Sequence, residues 1–256
     1  MSLDSFISKL EDDSFYYSDY EFVTNSQLGL IKKDVRTYKL MRDNPHLRKE
    51  TFPMIFGRAY HVAMLEPNEF NQKVKVFDSA TRTTKGFKEF KLENSTAPTT
   101  IILTKEYDKI MRMQDVLFSH KEVRDLMVAE GEREIANAWQ DSDTGVFCKG
   151  KADYRNGKTL IDLKTTGDGS LYGFSGSCRS YGYDRQASFY SDGFGCDEFV
   201  FITQEKEAPY NVSIFYAGKE FMDRGRSEYK YLLDTYRRFF IDNEAVVDEH
   251  LIMDTL

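Results

Sequence analysis

The residues best equipped for chemistry lie between positions 147 and 164, where the chain reads Phe-Cys-Lys-Gly-Lys-Ala-Asp-Tyr-Arg-Asn-Gly-Lys-Thr-Leu-Ile-Asp-Leu-Lys. Two alternating apolar and polar runs flank Asn156-Gly157, a strong local hairpin signal. With Asn156 and Gly157 as the turn residues, Arg155 faces Lys158, Asp153 faces Leu160 and Lys151 faces Asp162. Side chains alternate along a strand, and opposite residues share a face. Asp153, Asp162 and Lys164 are therefore expected on one face, with Asp153 and Asp162 as diagonal neighbours, and Ile161 and Leu163 on the other, toward a core. Two converging carboxylates repel unless a cation joins them. A hard divalent ion such as Mg²⁺, with Mn²⁺ as a substitute, takes a few carboxylate oxygens and keeps room for phosphate. The lysine can orient or help deprotonate the attacking water, which is the equipment of metal-assisted phosphodiester hydrolysis. The competing reading is an exposed hairpin whose charges simply face solvent.

Several flanking elements could position this hairpin. Glu132 to Trp139 reads as a strand, and Asp141-Ser142-Asp143-Thr144-Gly145 as a turn, so this strand should pair antiparallel with residues 146–154. It offers Glu134 as a third carboxylate, with Glu132 as the competing choice. Residues 53–66 form an apolar helix carrying His61, either a packed core histidine or a ligand and phosphate contact at the edge of the metal site. Residues 178–192 read as a helix with Tyr183, Gln186 and Tyr190 on one face, a candidate wall of the cleft. Thr24-Asn25-Ser26 looks like a helix start, with helical spacing continuing through Tyr38 toward Pro45. Residues 104–130 look helical. The segment from Thr81 to Lys88 reads as a basic loop entering a short helix. Its cations and hydroxyls suit phosphate oxygens, or else it is a solvated loop. Thr165 to Ser170 lacks the Walker pattern and reads as a mobile connection. Residues 197–204 and 210–217 alternate as strands, and a long helix follows Gly218.

The chain has 256 residues, 41% of them hydrophobic, enough for one substantial core or two small domains. It shows no bilayer-length apolar run and no signal peptide. Its three cysteines fit neither a disulfide framework nor a zinc pattern, and they fall one short of an iron–sulfur ligand set. A reducing cytoplasm is the expected location. The net charge of −7 argues at first against a nucleic-acid partner. The two ends, residues 1–25 and 240–256, carry −5 each, which leaves residues 26–239 at +3. Residues 26–60 hold eight bases against three acids, and residues 73–91 six against two. Local patches of this kind, rather than net charge, make phosphate footprints. Residues 1–25 read as an acidic arm, a strand or a docking segment, and 26–256 as a single domain with an acidic C-terminal tail.

Read in order, these pieces resemble the RecE family of phage and prophage recombination exonucleases, within the PD-(D/E)XK nuclease superfamily. The resemblance rests on Ser26-Gln27-Leu28, Gly57-Arg58-Ala59-Tyr60-His61, Arg82-Thr83-Thr84-Lys85, Lys149 to Asp153, Ile161 to Thr166, Tyr183 to Tyr190, and Pro209-Tyr210-Asn211-Val212. It implies a mixed α/β fold with a restriction-endonuclease-like core, a central mixed sheet flanked by helices. It implies Mg²⁺-dependent degradation of linear duplex DNA from 5′ ends, leaving 3′ single strands. Carried onto this chain, Asp153 and Asp162 would be metal ligands, the Leu163 carbonyl could add another, and Lys164 would handle water. His61 would match the family's helix histidine, placed at the metal and catalytic site with Glu134. Gln186 and Tyr190 would match its Gln-x-x-x-Tyr pair. Arg58, Arg82, Lys85, Lys88 and Tyr183 are the expected DNA contacts. The implied partners are duplex ends, a single-strand annealing protein of the RecT type and further copies of the chain in a closed ring, in the cytoplasm of a phage-infected or prophage-bearing bacterium. An endonuclease or repair nuclease on the same fold, or an inactive DNA-binding scaffold, are the alternatives.

Overall fold

A computed structural model describes residues 3–94, 99–128 and 130–244. Residues 95–98 and most of the acidic C-terminal tail, 245–256, lie outside the described residues. The acidic N-terminal segment forms α1 (Leu3–Ile7), a 3-10 turn (Ser8–Glu11) and α2 (Asp13–Ser18). Asp12 caps α2 by accepting from the Ser14 N–H. The segment is acidic in sequence yet buries Phe6, Leu10 and Tyr16 against Ala138. Thr24 then opens α3 (Asn25–Lys33) with a capping box shared with Gln27. The single helix expected from here toward Pro45 divides at Asp34. That residue is extended, and its carboxylate accepts from the Arg36 N–H to cap α4 (Val35–Asp43).

The apolar helix α5 (Phe52–Leu65) buries Phe56, Ala59, Tyr60, Ala63, Met64 and Leu65. After α6 (Phe70–Lys73) come β1 (Val74–Phe77), α7 (Lys85–Glu93, capped by Thr84) and β2 (Thr100–Leu103). β1 and β2 pair in parallel. Each has only four residues, too few for an alternation to register against the surrounding lysines. The stretch expected as one helix to residue 130 divides at His120 into α8 (Thr104–Ser119) and α9 (Lys121–Leu126).

The main sheet contains β3 (Glu132–Gln140), β4 (Phe147–Asn156) and β5 (Thr159–Thr166). The chain then crosses over through α10 (Leu171–Tyr181) and α11 (Tyr183–Phe194) to β6 (Glu198–Glu205), β7 (Val212–Tyr216) and α12 (Lys219–Phe240). The strand order follows the chain, β3-β4-β5-β6-β7. All neighbours are antiparallel except β5 and β6, which the helical crossover makes parallel. This is the mixed sheet flanked by helices that was expected. Ile161, Leu163, Val200 and Ile202 pack with α5 and α8 on one side. Leu160, Phe199 and Phe201 pack with Phe174 and Ala187 on the other. Among the described residues, no helix is long and apolar enough to cross a membrane.

Three further details differ from the sequence expectation. Asn156 pairs with Thr159 and Arg155 with Leu160, so Gly157 and Lys158 are the turn residues. Gly157, at φ +57°, takes the first central position, where left-handed backbone suits glycine. The register therefore shifts by two, and Asp153 and Asp162 are the first residues beyond the last pair, Tyr154↔Ile161, rather than diagonal neighbours within a ladder. The helix expected over 178–192 is two helices, because Gly182 at φ +67° ends α10 and turns the chain into α11. The Thr165–Ser170 connection is anchored: the Gly169 N–H donates to Glu205 Oε1 at 2.9 Å, and the Ser213 hydroxyl donates to the Gly169 carbonyl at 2.8 Å.

The N-terminal segment is stapled from beneath by Lys149 of β4, whose side chain is 1% exposed. Its Nζ donates to the Tyr16 carbonyl at 2.6 Å, the Asp19 carbonyl at 2.9 Å and Asp19 Oδ2 at 2.8 Å. Removing one partner of a buried pair strands the other, at a cost of about 3 kcal/mol. Lys149→Met is expected to lower unfolding stability by that order in urea titration. A loss below about 0.5 kcal/mol, the range of ordinary surface changes, would mean the staple does not hold the segment.

Candidate active site

The site begins where β4 and β5 stop pairing. Their ladder ends at Tyr154↔Ile161. Beyond it, the Leu163 N–H donates to Asp153 Oδ2 at 2.8 Å instead of to a strand carbonyl. This draws the Asp153 carboxylate into the gap between the strands, toward α5. There Asp153 Oδ1 lies 3.5 Å from His61 Nδ1, and His61 Nε2 lies 2.9 Å from the Leu163 carbonyl. A carbonyl only accepts, so Nε2 carries the hydrogen. The space between Nδ1 and the Asp153 carboxylate must then hold either a proton or a cation.

Glu134 approaches from β3. Its neighbours pair across Asp153, Arg133 with Tyr154 and Ile135 with Ala152, and its own backbone is left-handed at φ +50°. That conformation is costly for a side chain with a Cβ and persists only where the surroundings impose it. His61, Glu134 and Asp153 offer ligand atoms within 4.8 Å of one another, the one such group found among the described residues. Glu132 lies outside this group: its side chain is 63% exposed and lies 3.9 Å from Arg155.

Asp162 and Lys164 project toward α11. Asp162 Oδ1 accepts from Gln186 Nε2 at 2.7 Å, and Oδ2 lies 2.6 Å from Lys164 Nζ. The lysine ammonium sits 4.9 Å from the centre of the Tyr183 ring. Tyr190 closes against β4 so tightly that a Cβ at Gly150 would lie 3.0 Å from its ring. The strand register puts Asp153, Asp162 and Lys164 on one side, but the pull of the Leu163 amide separates them locally. Asp162 stands outside the 4.8 Å group, and the Leu163 carbonyl is occupied by His61.

Of the expected DNA contacts, Tyr183 lies at the site against Lys164, and Arg58, Arg82, Lys85 and Lys88 are placed elsewhere. Arg58 donates to Thr100 Oγ1 at 3.2 Å and pairs with Glu50. Arg82 grips both oxygens of buried Glu106 and lies over the Phe52 ring at 4.9 Å, tying the loop before α7 to α8. Lys85 is 90% exposed beside Glu89, and Lys88 is exposed on the same helix. Two members were not anticipated. Lys151 Nζ lies 3.2 Å from Glu134 Oε2 and 2.6 Å from Asp13 Oδ1. Alternation with Asp153 along β4 could have indicated Lys151; nothing in the sequence indicates Asp13.

The electrostatics describe a cluster short of positive charge. Burial, reinforced by the Asp153 charge, pushes Glu134 up to about 7. Burial also raises Asp162 to about 6, although Lys164 opposes it. Burial works against the His61 imidazolium, but the Asp153 charge outweighs it and lifts His61 to about 9. Asp153 itself, despite burial, is held below its ordinary value by His61. Carboxylates with one imidazole, beside a lysine, form the hard, oxygen-rich donor set that suits Mg²⁺ or Mn²⁺. A divalent cation held by Glu134, Asp153 and His61 would fill the place that a proton otherwise fills.

Residues 34–245 match the family model described as a PDDEXK-like domain of unknown function (DUF3799). No curated protein matches the sequence. Among solved structures, a proposed exonuclease from Eubacterium rectale aligns over 94% of this chain and 85% of its own, with a TM-score of 0.59 and 13% identity. The likeness is one of fold. A phage-related exonuclease from Haemophilus somnus 129PT aligns over 73% of this chain and 95% of its own at 11% identity, but its TM-score of 0.36 carries no weight.

Glu134, Asp162 and His61 all bind protons more tightly in the folded chain than in the unfolded one. Wherever the folded state holds the extra proton, stability falls as pH rises. Asp162 and Glu134 act up to about pH 6 and 7, and His61 up to about pH 9. Without added metal, these three groups should therefore make the melting temperature decline from about pH 4 to about pH 9. Mn²⁺ should raise it more at about pH 8 than at about pH 6, because protons compete for the same ligands. Glu134→Gln should flatten the lower part of the decline. Scanning calorimetry across this range is the check, and a pH-independent effect of Mn²⁺ would contradict the ligand assignment.

Proposed function

The chain belongs to this PDDEXK-like family, and on that premise we propose that it is a divalent-metal-dependent exodeoxyribonuclease acting on the ends of linear duplex DNA. The observation that carries the reading is the arrangement at the parted strands: Glu134, Asp153 and His61 together, with Asp162 and Lys164 at the adjoining edge. When bound, the cation supplies charge neutralisation for the phosphoryl group and acidifies the water. Hydrolysis forms one P–O bond to water and breaks one P–O ester bond, so a proton must leave the water and another must reach the departing alkoxide. Lys164, held between Asp162 and the Tyr183 ring, would orient the water and pass protons at its Nζ. Gln186 fixes Asp162, and the left-handed backbone fixes Glu134. Both restraints suit a site that must hold its geometry within a fraction of an ångström.

The resemblance to the RecE family extends the proposal. Mg²⁺ is the working ion, degradation starts at 5′ ends, and the 3′ strand passes to a RecT-type annealing protein in the bacterial cytoplasm. Copies of the chain form a ring around the duplex. Lys85 and Lys88, both exposed, contact the phosphate backbone and not the bases.

Asp153→Asn, Asp162→Asn and Lys164→Ala are expected to cut hydrolysis of linear duplex by about a hundredfold or more, with folding intact by circular dichroism. Lys164→Ala should leave Mn²⁺ binding largely in place, because the ammonium is not a ligand. Comparison of linear with closed-circular duplex decides the mode. Loss of the linear form alone is the expected result. Cleavage of both would make the protein an endonuclease, and wild-type rates in Asp153→Asn would remove the site from the chemistry.

A further inference from the structure

The match to the family begins at residue 34, yet the residues before it reach the site. Asp13, the first residue of α2, places Oδ1 2.6 Å from Lys151 Nζ. The same ammonium lies 3.2 Å from Glu134 Oε2. The three side chains, Asp13, Lys151 and Glu134, are 22%, 15% and 19% exposed, so solvent screens them only in part. α2 is not free to withdraw Asp13, because Tyr16 is buried and its carbonyl, with Asp19, is held by Lys149. Lys151 stands two residues before Asp153 on β4.

We propose that the N-terminal segment sets the cation affinity of the site, with Asp13 holding Lys151 so that this lysine positions Glu134 without displacing the metal. The inference rests on the metal-dependent reading given above. An ammonium and a divalent ion compete for the same carboxylate oxygens, and their charges repel each other. With the Asp13 side chain 2.6 Å away, Lys151 has a carboxylate of its own and Glu134 can be given to the metal. With Asp13 replaced by asparagine, Lys151 turns to Glu134, and its uncompensated charge faces the metal. With Lys151 replaced by glutamine, the competitor is gone. The two substitutions therefore act in opposite directions, whereas a merely structural role for the pair would weaken the site in both.

The test is Mn²⁺ binding by titration calorimetry on the full chain, alongside melting temperatures without metal. Asp12, not Asp13, caps α2, so Asp13→Asn leaves the helix start in place. Asp13→Asn is expected to weaken Mn²⁺ binding about three- to tenfold, and Lys151→Gln to tighten it about threefold, from one charge in a partly screened setting. The double variant should bind like Lys151→Gln, and Asp13→Glu should restore wild-type affinity. Glu134→Gln serves as the control that must weaken binding. If the wild-type chain binds no Mn²⁺, the metal-dependent reading fails and this inference with it. If it binds and Glu134→Gln weakens it, but Asp13→Asn matches wild type or both single variants weaken binding, the inference is overturned while the metal site stands.

Discussion

The Leu163 amide needs an acceptor where β4 and β5 part, and the Asp153 carboxylate supplies it. A side chain thus takes the hydrogen bond that a strand carbonyl would otherwise accept. The strands stay apart beyond this point, and the gap remains lined by a charge instead of being zipped by backbone. β5 does not lose support, because its other edge continues in register with β6, Asp162 beside Phe201 and Lys164 beside Thr203. The result is a rigid strand with one open edge near its end. The rest of the site is arranged around that edge: His61 reaches in from α5, Glu134 from β3, and Gln186 from α11.

Charge balance then fixes which element supplies what. Each acid in the cluster faces a base: Asp153 with His61, Glu134 with Lys151, Asp162 with Lys164. The pairing is incomplete, since burial still holds Glu134 and Asp162 above their ordinary values. Lys151 is divided between two acids, and His61 donates its other nitrogen to the Leu163 carbonyl. A buried cluster in this condition favours an added positive charge. A hairpin whose charges faced solvent would have left these groups near their usual values, so burial itself separates the two readings of the motif.

The helices make the arrangement stiff. α11 carries Tyr183, Gln186 and Tyr190, and it is clamped against α12, where a Cβ at Gly225 would overlap the Asp184 carbonyl. Only glycine permits that approach. Arg224 reaches Asp184 at 2.6 Å across the same contact. On the opposite side, α5 is held to the sheet by the Tyr60 hydroxyl, which donates to Gln204 at 2.8 Å, one residue before His61. The two helices therefore bring polar groups to the cleft from rigid, well-packed positions.

The sequence by itself determined what is local. Alternation over 147–164 identified the strands and which side chains share a face, and Thr24-Asn25-Ser26 marked a helix start, where the structure adds a capping box between Thr24 and Gln27. The hairpin register was off by two residues, yet the faces were right, because a shift by an even number keeps every side chain on its side. The same periodicity could not choose between Glu132 and Glu134, which share a face. Tertiary structure is what gathers Glu134 with His61 and Asp153, on a left-handed backbone, and leaves Glu132 opposite Arg155. Asp13 lies 138 residues from Lys151, and no spacing rule connects them. The place of the N-terminal segment was likewise undecided: its sequence left an arm, a strand and a docking segment open, while Phe6, Leu10 and Tyr16 find their partners only when β3 exists as a surface. Arg82 read as a phosphate contact because a basic loop looks alike whether it meets DNA or a buried glutamate. Only the folded chain brings Glu106 to it. Periodicity records how a segment meets its neighbours in the chain; which distant charge it meets depends on how the whole sheet closes.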